Sequence, residues 1–370
     1  MKRVWIISLI IFCLIVCAGL LFNPASATTR ARFSNSGSWE EIQGNQPAPR
    51  TGFSIARIGN DAYIYGGTNG ETVFDDLWKY NYETGWEHIT PTVTAPTRLK
   101  RYGHTATRYE DQMYIFYGAD DDTLFPYHSG HQTDIYDPAT NTLSRAPYVV
   151  SNPPGGLYVS ATALDGYIWT FGGLYGDVAF GDLWRYNPAS GVWASKSYYP
   201  LRPLYGHVAV PYNNKMYVFG GNNGQAVNGD FLCYDPAIHS WEAIETSGGP
   251  EPLYLSTGGH LDEADYNAQQ NLTTAQVGGR MWLVGGKNSN DEDVADVWEF
   301  NFATNRWREL TPLPAPRSNA GLAGFPNPDG TVTLLVFGGE RDGVPIAETM
   351  AMTVTLPPTY TVYLPLVLRQ

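Results

Sequence analysis

Six times along the chain a short apolar run ends in glycine. The copies are "AYIYGG" ending at Gly67, "MYIFYGA" around Gly118, "YIWTFGG" at Gly173, "MYVFGG" at Gly221, "MWLVGG" at Gly286 and "LLVFGG" at Gly339. The step between copies is about fifty residues, the period of a blade-forming repeat. Each copy alternates in the manner of a strand rather than a helix. A phosphate-cradling loop is excluded, because that loop opens directly into a helix and carries a Lys-Ser/Thr pair. Here the chain runs on into polar turn residues and another strand pattern. The glycines instead serve positions where the backbone turns tightly at a strand end.

Each copy sits in a larger unit. After the glycines comes a second strand pattern, clearest in "DDLWKYN", "GDLWRYN", "GDFLCYD" and "ADVWEFN", with "TDIYDP" a shorter version. A turn such as "PASG" or "FATN" follows, and then Trp86, Trp193, Trp241 or Trp307, with Leu143 in the second unit. A further strand precedes the glycine run, as in "RTGFSIARI", "RYGHTATRY" and "YGHVAVPY". Each unit therefore has four strands: a, b (ending at the glycines), c and d (bearing the tryptophan). The last unit has a c strand, "ETMAMTVTL", and no tryptophan after it. The missing d strand stands near the start of the chain as "GSWEEI", with Trp39. The counts match only if the N-terminal strand closes the final blade. The fold class is thus all-β: a six-bladed β-propeller of four-stranded blades, its ring closed around Trp39. Closure removes the open edges a linear array would leave.

These glycine pairs, the R-x-G-H-like strand a and the Tyr/Trp pattern resemble the Kelch-repeat propellers of the galactose-oxidase-like superfamily. The resemblance runs from about Ser38 to Val354. It implies a fold and says little of function, since propellers host many activities. Copper oxidases of this kind have seven blades and a tyrosine crosslinked to a cysteine. Here the blades number six, and Cys233 lies in a c strand, where it reads as a small packed side chain. The chain is also similar in size and blade count to sialic-acid mutarotases. That resemblance implies a small-sugar isomerase with an arginine clamp, the alternative to a binding function.

Organisation follows. Residues 1–27 read as a signal peptide: Lys2 and Arg3, an apolar run from Val4 to Phe22, and small residues at Ala25 and Ala27. The competing reading is an uncleaved anchor. Residues 28–37 form a short linker, 38–355 the propeller, and 356–370 a Pro-linked apolar tail that reads either as a surface-attachment signal or as an added strand. Beyond the leader the only cysteine is Cys233, so stability must come from a large core. The formal charge of −13 gives no footprint for nucleic acid. Membrane contact is expected only through an uncleaved leader or the tail.

In such a ring the d–a and b–c loops share one face and the a–b and c–d turns the other. The turns are short, as in "GND" and "EDQ", and read as structural. Two long loops fall on the d–a/b–c face: Ala119 to Thr133, and Thr246 to Asn271 before a strand a expected at Leu272. Candidate ligand-binding residues are Arg50, Arg101 and Arg317, which could clamp a carboxylate, with His104, Tyr158, Tyr205, His207, Tyr127, Tyr175, His260 and Glu340. Glu340 or Glu263 would serve as base in the isomerase reading. Asp120, Asp122, His128 and His131 are weak metal candidates; no catalytic residue is assigned and no cofactor is called for. Phe125, Phe180, Tyr254 and Tyr266 add aromatic faces suited to carbohydrate or peptide. The expected function is ligand or protein binding by a secreted or cell-surface propeller, with an extracellular glycan or protein as partner.

Overall fold

A computed structural model describes residues 37–94, 100–120, 133–146, 153, 156–196, 202–260 and 279–356. No helix occurs among them. Six antiparallel four-stranded sheets follow one another around a ring. Blades 1 to 5 are each built from consecutive strands a to d. Blade 1, for example, runs Ser54–Ile58, Asp61–Tyr65, Leu77–Asn81 and Gly85–Ile89. Blade 6 takes strands a to c from Gly321–Pro326, Thr331–Phe337 and Thr349–Thr355. Its fourth strand is Glu40–Glu41, paired as Glu40 with Ala351 and Glu41 with Met350. The Gly37 and Ile42 amides extend this pairing to Thr353 O and Thr349 O. The indole of Trp39 donates to Thr311 O at 2.9 Å. The N-terminal strand therefore closes the ring as the repeat count requires.

The core lies between blades. The strand-d residue of each blade packs on the blade before it, at the strand-b residue opposite the first residue of strand a. Trp86 meets Phe337 at 4.9 Å between ring centroids, Trp193 meets Phe116 at 5.6 Å, Trp241 meets Phe171 at 4.9 Å and Trp307 meets Phe219 at 5.3 Å. Leu143 shares a buried cluster with Tyr65, and Trp39 packs against the cluster holding Val284. The ring contact is made at four of the six seams, the same positions share a buried cluster at the other two, and burial of these large side chains supplies the main drive for stacking.

The first glycine of each pair has a reason beyond the turn. At Gly172, Gly220 and Gly285 an added Cβ would lie 2.2–2.3 Å from the Leu204, Leu253 and Arg317 carbonyls at the start of the next blade. The second glycine donates its amide to that same carbonyl, as Gly173 does to Leu204 O at 2.7 Å. Glycine lets adjacent blades approach backbone to backbone.

Three features depart from expectation. Strand a of blade 5 is Thr257–His260, with Thr257 opposite Val284, and not a strand at Leu272. The long stretch 261–278 is therefore an a–b connection, outside the described residues, and its ends belong to the opposite face from the one assigned by sequence. The R-x-G-H signal is lost there because Leu253, Tyr254, Leu255 and Ser256 fill its positions. Blade 2 gains a fifth strand, Thr92–Val93, parallel to its strand d. In blade 3, strands b and c lengthen to Tyr167–Tyr175 and Val178–Asn187 and project as a hairpin.

Candidate functional site

Six residues, one leading into each strand a, form a collar about the ring axis. They are Gly52, Gly103, Tyr158, Gly206, Leu255 and Asn319, with φ between 51° and 63°. Five of the six amides donate to the collar residue of the preceding blade: Gly103 to Gly52 O at 2.7 Å, Tyr158 to Gly103 O at 2.8 Å, and Gly206 to Tyr158 O at 3.1 Å. Leu255 to Gly206 O at 2.7 Å and Asn319 to Leu255 O at 2.8 Å continue it. The Asn319 side-chain amide then reaches Thr51 Oγ1 at 2.8 Å. Left-handed backbone costs a non-glycine residue about 1–2 kcal/mol, so three collar positions are glycine and a fourth is asparagine. Tyr158 and Leu255 hold that conformation through the collar bonds.

The residue before each collar member bridges to the one after the glycine pair: Thr51 to Thr68, Tyr102 to Ala119, Leu157 to Leu174, Tyr205 to Asn222, Tyr254 to Lys287 and Ser318 to Glu340. These bridges ring the mouth on the d–a/b–c face, where Tyr102, Tyr205, Lys287 and Glu340 are half-buried and Ala119 and Ser318 are buried. Rings of Tyr158 and Tyr205 lie 6.5 Å apart, and those of Tyr205 and Tyr254 6.0 Å. Tyr254 donates its hydroxyl to Asp291. Lys287 Nζ lies 3.2 Å from Asp293, which also accepts the Asp342 amide at 2.7 Å. Burial pushes the Glu340 carboxyl up, against the stabilising hydroxyls of Thr51 and Ser318 and the Lys287 charge. Burial, then the Glu340 charge, pushes the Tyr158 hydroxyl up to about 12. At neutral pH the mouth offers tyrosine faces and hydroxyl donors on one side, and a carboxylate–lysine group on the other.

Of the residues singled out by sequence, Tyr158, Tyr205, Tyr254 and Glu340 come together here. Tyr102, Lys287, Asp291, Asp293 and Asn319 join them and were not foreseen. Their signal was the position just before strand a and the residues just after the glycines, which only the ring brings to one place.

The arginines do not converge. Arg50, Arg101 and Arg317 are 0–1% exposed, and each turns to a carboxylate of its own blade. Arg50 makes a bidentate pair with Asp76 at 2.6 and 2.9 Å and donates to Gly66 O. Arg101 pairs with buried Asp134, and Arg317 with Glu348 at 2.6 Å. Desolvation opposes the Asp76 charge, but the Arg50 bonds win and hold its carboxyl below the usual range. The clamp expected from sequence is therefore corrected to three separate ties between strands, and the isomerase reading built on it is left without that support. His104 and His207 are buried as well. His207 Nε2 lies 2.8 Å from Ser160 Oγ, its ring 5.0 Å from Phe171 in the preceding blade. Burial holds the His207 imidazole down to about 3, and burial followed by the Arg101 charge holds His104 well below its usual value.

His260 lies in strand a of blade 5 opposite Met281, at the end next to the a–b connection, and not on a loop of the d–a/b–c face. Tyr175 is 49% exposed at the tip of the blade-3 hairpin. Tyr127, Asp122, His128 and His131, like Glu263, Phe125 and Tyr266, lie outside the described residues; of the metal candidates only Asp120 is described. Among the described residues no three His, Cys, Asp or Glu side chains are grouped to hold a metal ion. Cys233 is buried in strand c, its thiol pushed up to about 11 by burial.

Two family models match the chain and between them cover residues 29–343. The KLHDC2/KLHL20/DRC7 Kelch-repeats domain matches residues 29–203, and the Attractin/LZTR1 beta-propeller matches 168–343. The chain is a six-bladed propeller of Kelch repeats. Curated relatives share the repeat. Kelch domain-containing protein 3 of Rattus norvegicus and of Homo sapiens is 28% identical over 170 residues, 43% of this chain and 44% of the relative. Kelch domain-containing protein 10 of Rattus norvegicus is 25% identical over 170 residues, 45% of this chain and 42% of the relative. The match thus spans less than half of each relative's length. Kelch propellers generally serve as binding scaffolds, and this one presents its tyrosine-rich mouth on the d–a/b–c face.

Proposed function

We propose that this Kelch propeller is an exported interaction module that binds an extracellular protein through the mouth on its d–a/b–c face. The observation that carries the reading is the run of Tyr102, Tyr158, Tyr205 and Tyr254 on four successive blades, flanked by Glu340, Lys287, Asp291 and Asp293. Tyrosine supplies large rigid contact area with a polar tip and is enriched at protein interfaces. Rigid presentation by the collar lowers the ordering cost on binding. Export is supported by the basic, apolar and small-residue order of residues 1–27. Intact mass of the exported protein tests that part: a chain beginning at Thr28 supports cleavage, and one retaining Met1 refutes it.

The face is tested by capture from extracellular protein of the producing cell, comparing the native chain with Tyr205→Ala/Tyr254→Ala. A partner held by the native chain and lost by the variant supports the reading. Equal capture by both removes the mouth from the interface. The clustered tyrosine rings also favour a second reading, a glycan partner. Binding of the native chain on a glycan array, lost in the same variant, would replace protein by carbohydrate.

A further inference from the structure

The charges at the mouth do not balance. Blade 5 supplies Lys287, Asp291 and Asp293, and blade 6 supplies Glu340. Lys287 Nζ lies 3.2 Å from Asp293 and 3.9 Å from Asp291. Its charge also acts on Glu340. One ammonium thus serves three carboxylates. Asp293, 2% exposed, is the closest of them to it. Asp291 is 72% exposed, and Glu340 is half-buried. The neighbouring arginines are turned elsewhere: Arg317 and Arg341 both meet Glu348, and Arg341 also donates to Pro316 O. The group is left net negative, in a chain whose formal charge is −13.

Tyrosine rings stand beside these carboxylates. Tyr254 donates its hydroxyl to Asp291, which fixes the ring. The Tyr205 ring lies 6.0 Å from it at an interplanar angle of 82°, edge against face. The Tyr158 ring lies 6.5 Å from Tyr205, tilted by 40°. Tyr158 and Tyr205 are half-buried and keep open surface. The Glu340 charge acts on the hydroxyls of Tyr158 and Tyr254, and the Asp291 charge on those of Tyr205 and Tyr254. Rings and carboxylates therefore share one region of the mouth. The face of an aromatic ring is its negative side and attracts a cation within about 6 Å of the centroid. A guanidinium stacks on such a face and presents its fork to a carboxylate. An anion would be repelled by both groups.

We infer that the mouth takes up an arginine side chain of its protein partner, and so selects a partner with a basic segment. The guanidinium lies among the tyrosine rings, with Glu340 and Asp291 supplying the opposite charge. Arginine is also among the residues that most often carry the energy of a protein interface. The inference rests on the reading of the mouth as a protein-binding face, and names the chemistry of what enters it.

Ligand-observed NMR titration of the full chain tests it, with three blocked tripeptides: acetyl-Gly-Arg-Gly-amide, its citrulline counterpart and its glutamate counterpart. Citrulline keeps the shape of arginine and lacks the charge. The arginine peptide should bind saturably, at least tenfold tighter than the citrulline peptide. Glu340→Gln/Asp291→Asn should weaken it at least tenfold while far-UV circular dichroism is unchanged. Asp291→Asn alone, at an exposed position, should weaken it at least threefold and serves if the double variant fails to fold. Absence of saturable binding, equal affinity for citrulline, tighter binding of the glutamate peptide, or affinity unchanged in the variants overturns the inference. A partner captured by the native chain, lost in Tyr205→Ala/Tyr254→Ala and kept in Glu340→Gln/Asp291→Asn also overturns it, and leaves the mouth standing as the protein-binding face.

Discussion

Replacing Asp134 by leucine should cost more stability than replacing both Asp134 and its partner. Arg101 and Asp134 are 1% and 2% exposed and paired with each other. Burial pushes the Asp134 carboxyl up even though the Arg101 and Arg145 charges pull it down. Desolvation thus works against what the pairing contributes, and breaking the pair leaves a guanidinium buried without its carboxylate. Such a break costs about 3–5 kcal/mol, while exchanging both charges for packed apolar groups is often neutral or better. Blade 4 already carries the apolar solution. Leu204 stands where Arg101 does, 1% exposed, and Leu232 stands where Asp134 does, opposite Val218 as Asp134 is opposite Ile115. With an unfolding entropy of about 2 cal/mol/K per residue, the roughly 320-residue ring loses about 1.5 °C of melting temperature per kcal/mol. Asp134→Leu should therefore melt about 4–7 °C lower, and Arg101→Leu/Asp134→Leu within about 2 °C of the native chain. Differential scanning calorimetry at pH 7 reads both. A single variant as stable as the native chain, or a double variant worse than the single, would refute the reasoning.

Three other outcomes are expected. Trp39→Ala should cost about 3–5 kcal/mol through the lost core contact and broaden the melting transition, because it loosens the strand that closes the ring; urea titration by tryptophan fluorescence measures it. Gly220→Ala should destabilise by more than about 1 kcal/mol, since its φ is +72° and the new Cβ would lie 2.3 Å from Leu253 O; Gly70→Ala, with φ +91° and open space around it, should cost less. Stability should fall as pH drops below the ordinary imidazole range. His207 is neutral in the fold down to about 3, whereas the unfolded chain takes up its proton near 6.5, so the unfolded state binds more protons between these values. The contribution is fully present above about 6.5 and is lost toward 3. His207→Gln should flatten the pH dependence of the midpoint across that window, and an unchanged slope would count against it.

The repeat was legible because it is local. Alternation into Gly-Gly and the spacing to the next tryptophan both lie within one unit, so each unit declares itself. The orphan Trp39 then fixed the closure by count alone. Blade 5 escaped at strand a because the positions that carry Arg, Gly and His elsewhere hold Leu253, Leu255 and Ser256. The backbone makes the same bonds with those side chains, so the fold persists where the signal fades.

What arginine, histidine and tyrosine do at one end of the blades was decided only in three dimensions. Arg50, Arg101 and Arg317 read as a clamp because they share a repeat position. Their charges are instead met by Asp76, Asp134 and Glu348, residues at or just before the start of strand c that sequence could not pair with them. The collar is the sharpest case. It joins residues about fifty apart through main-chain amides and carbonyls, groups that every residue here possesses, so no side-chain pattern announces it beyond a tolerance for positive φ. The sequence by itself determined six blades, their strand order and the seam at Trp39, because those follow from local periodicity and a count. The mouth and the partners of every buried charge were decided by the tertiary structure, because ring closure alone brings six distant segments to one axis.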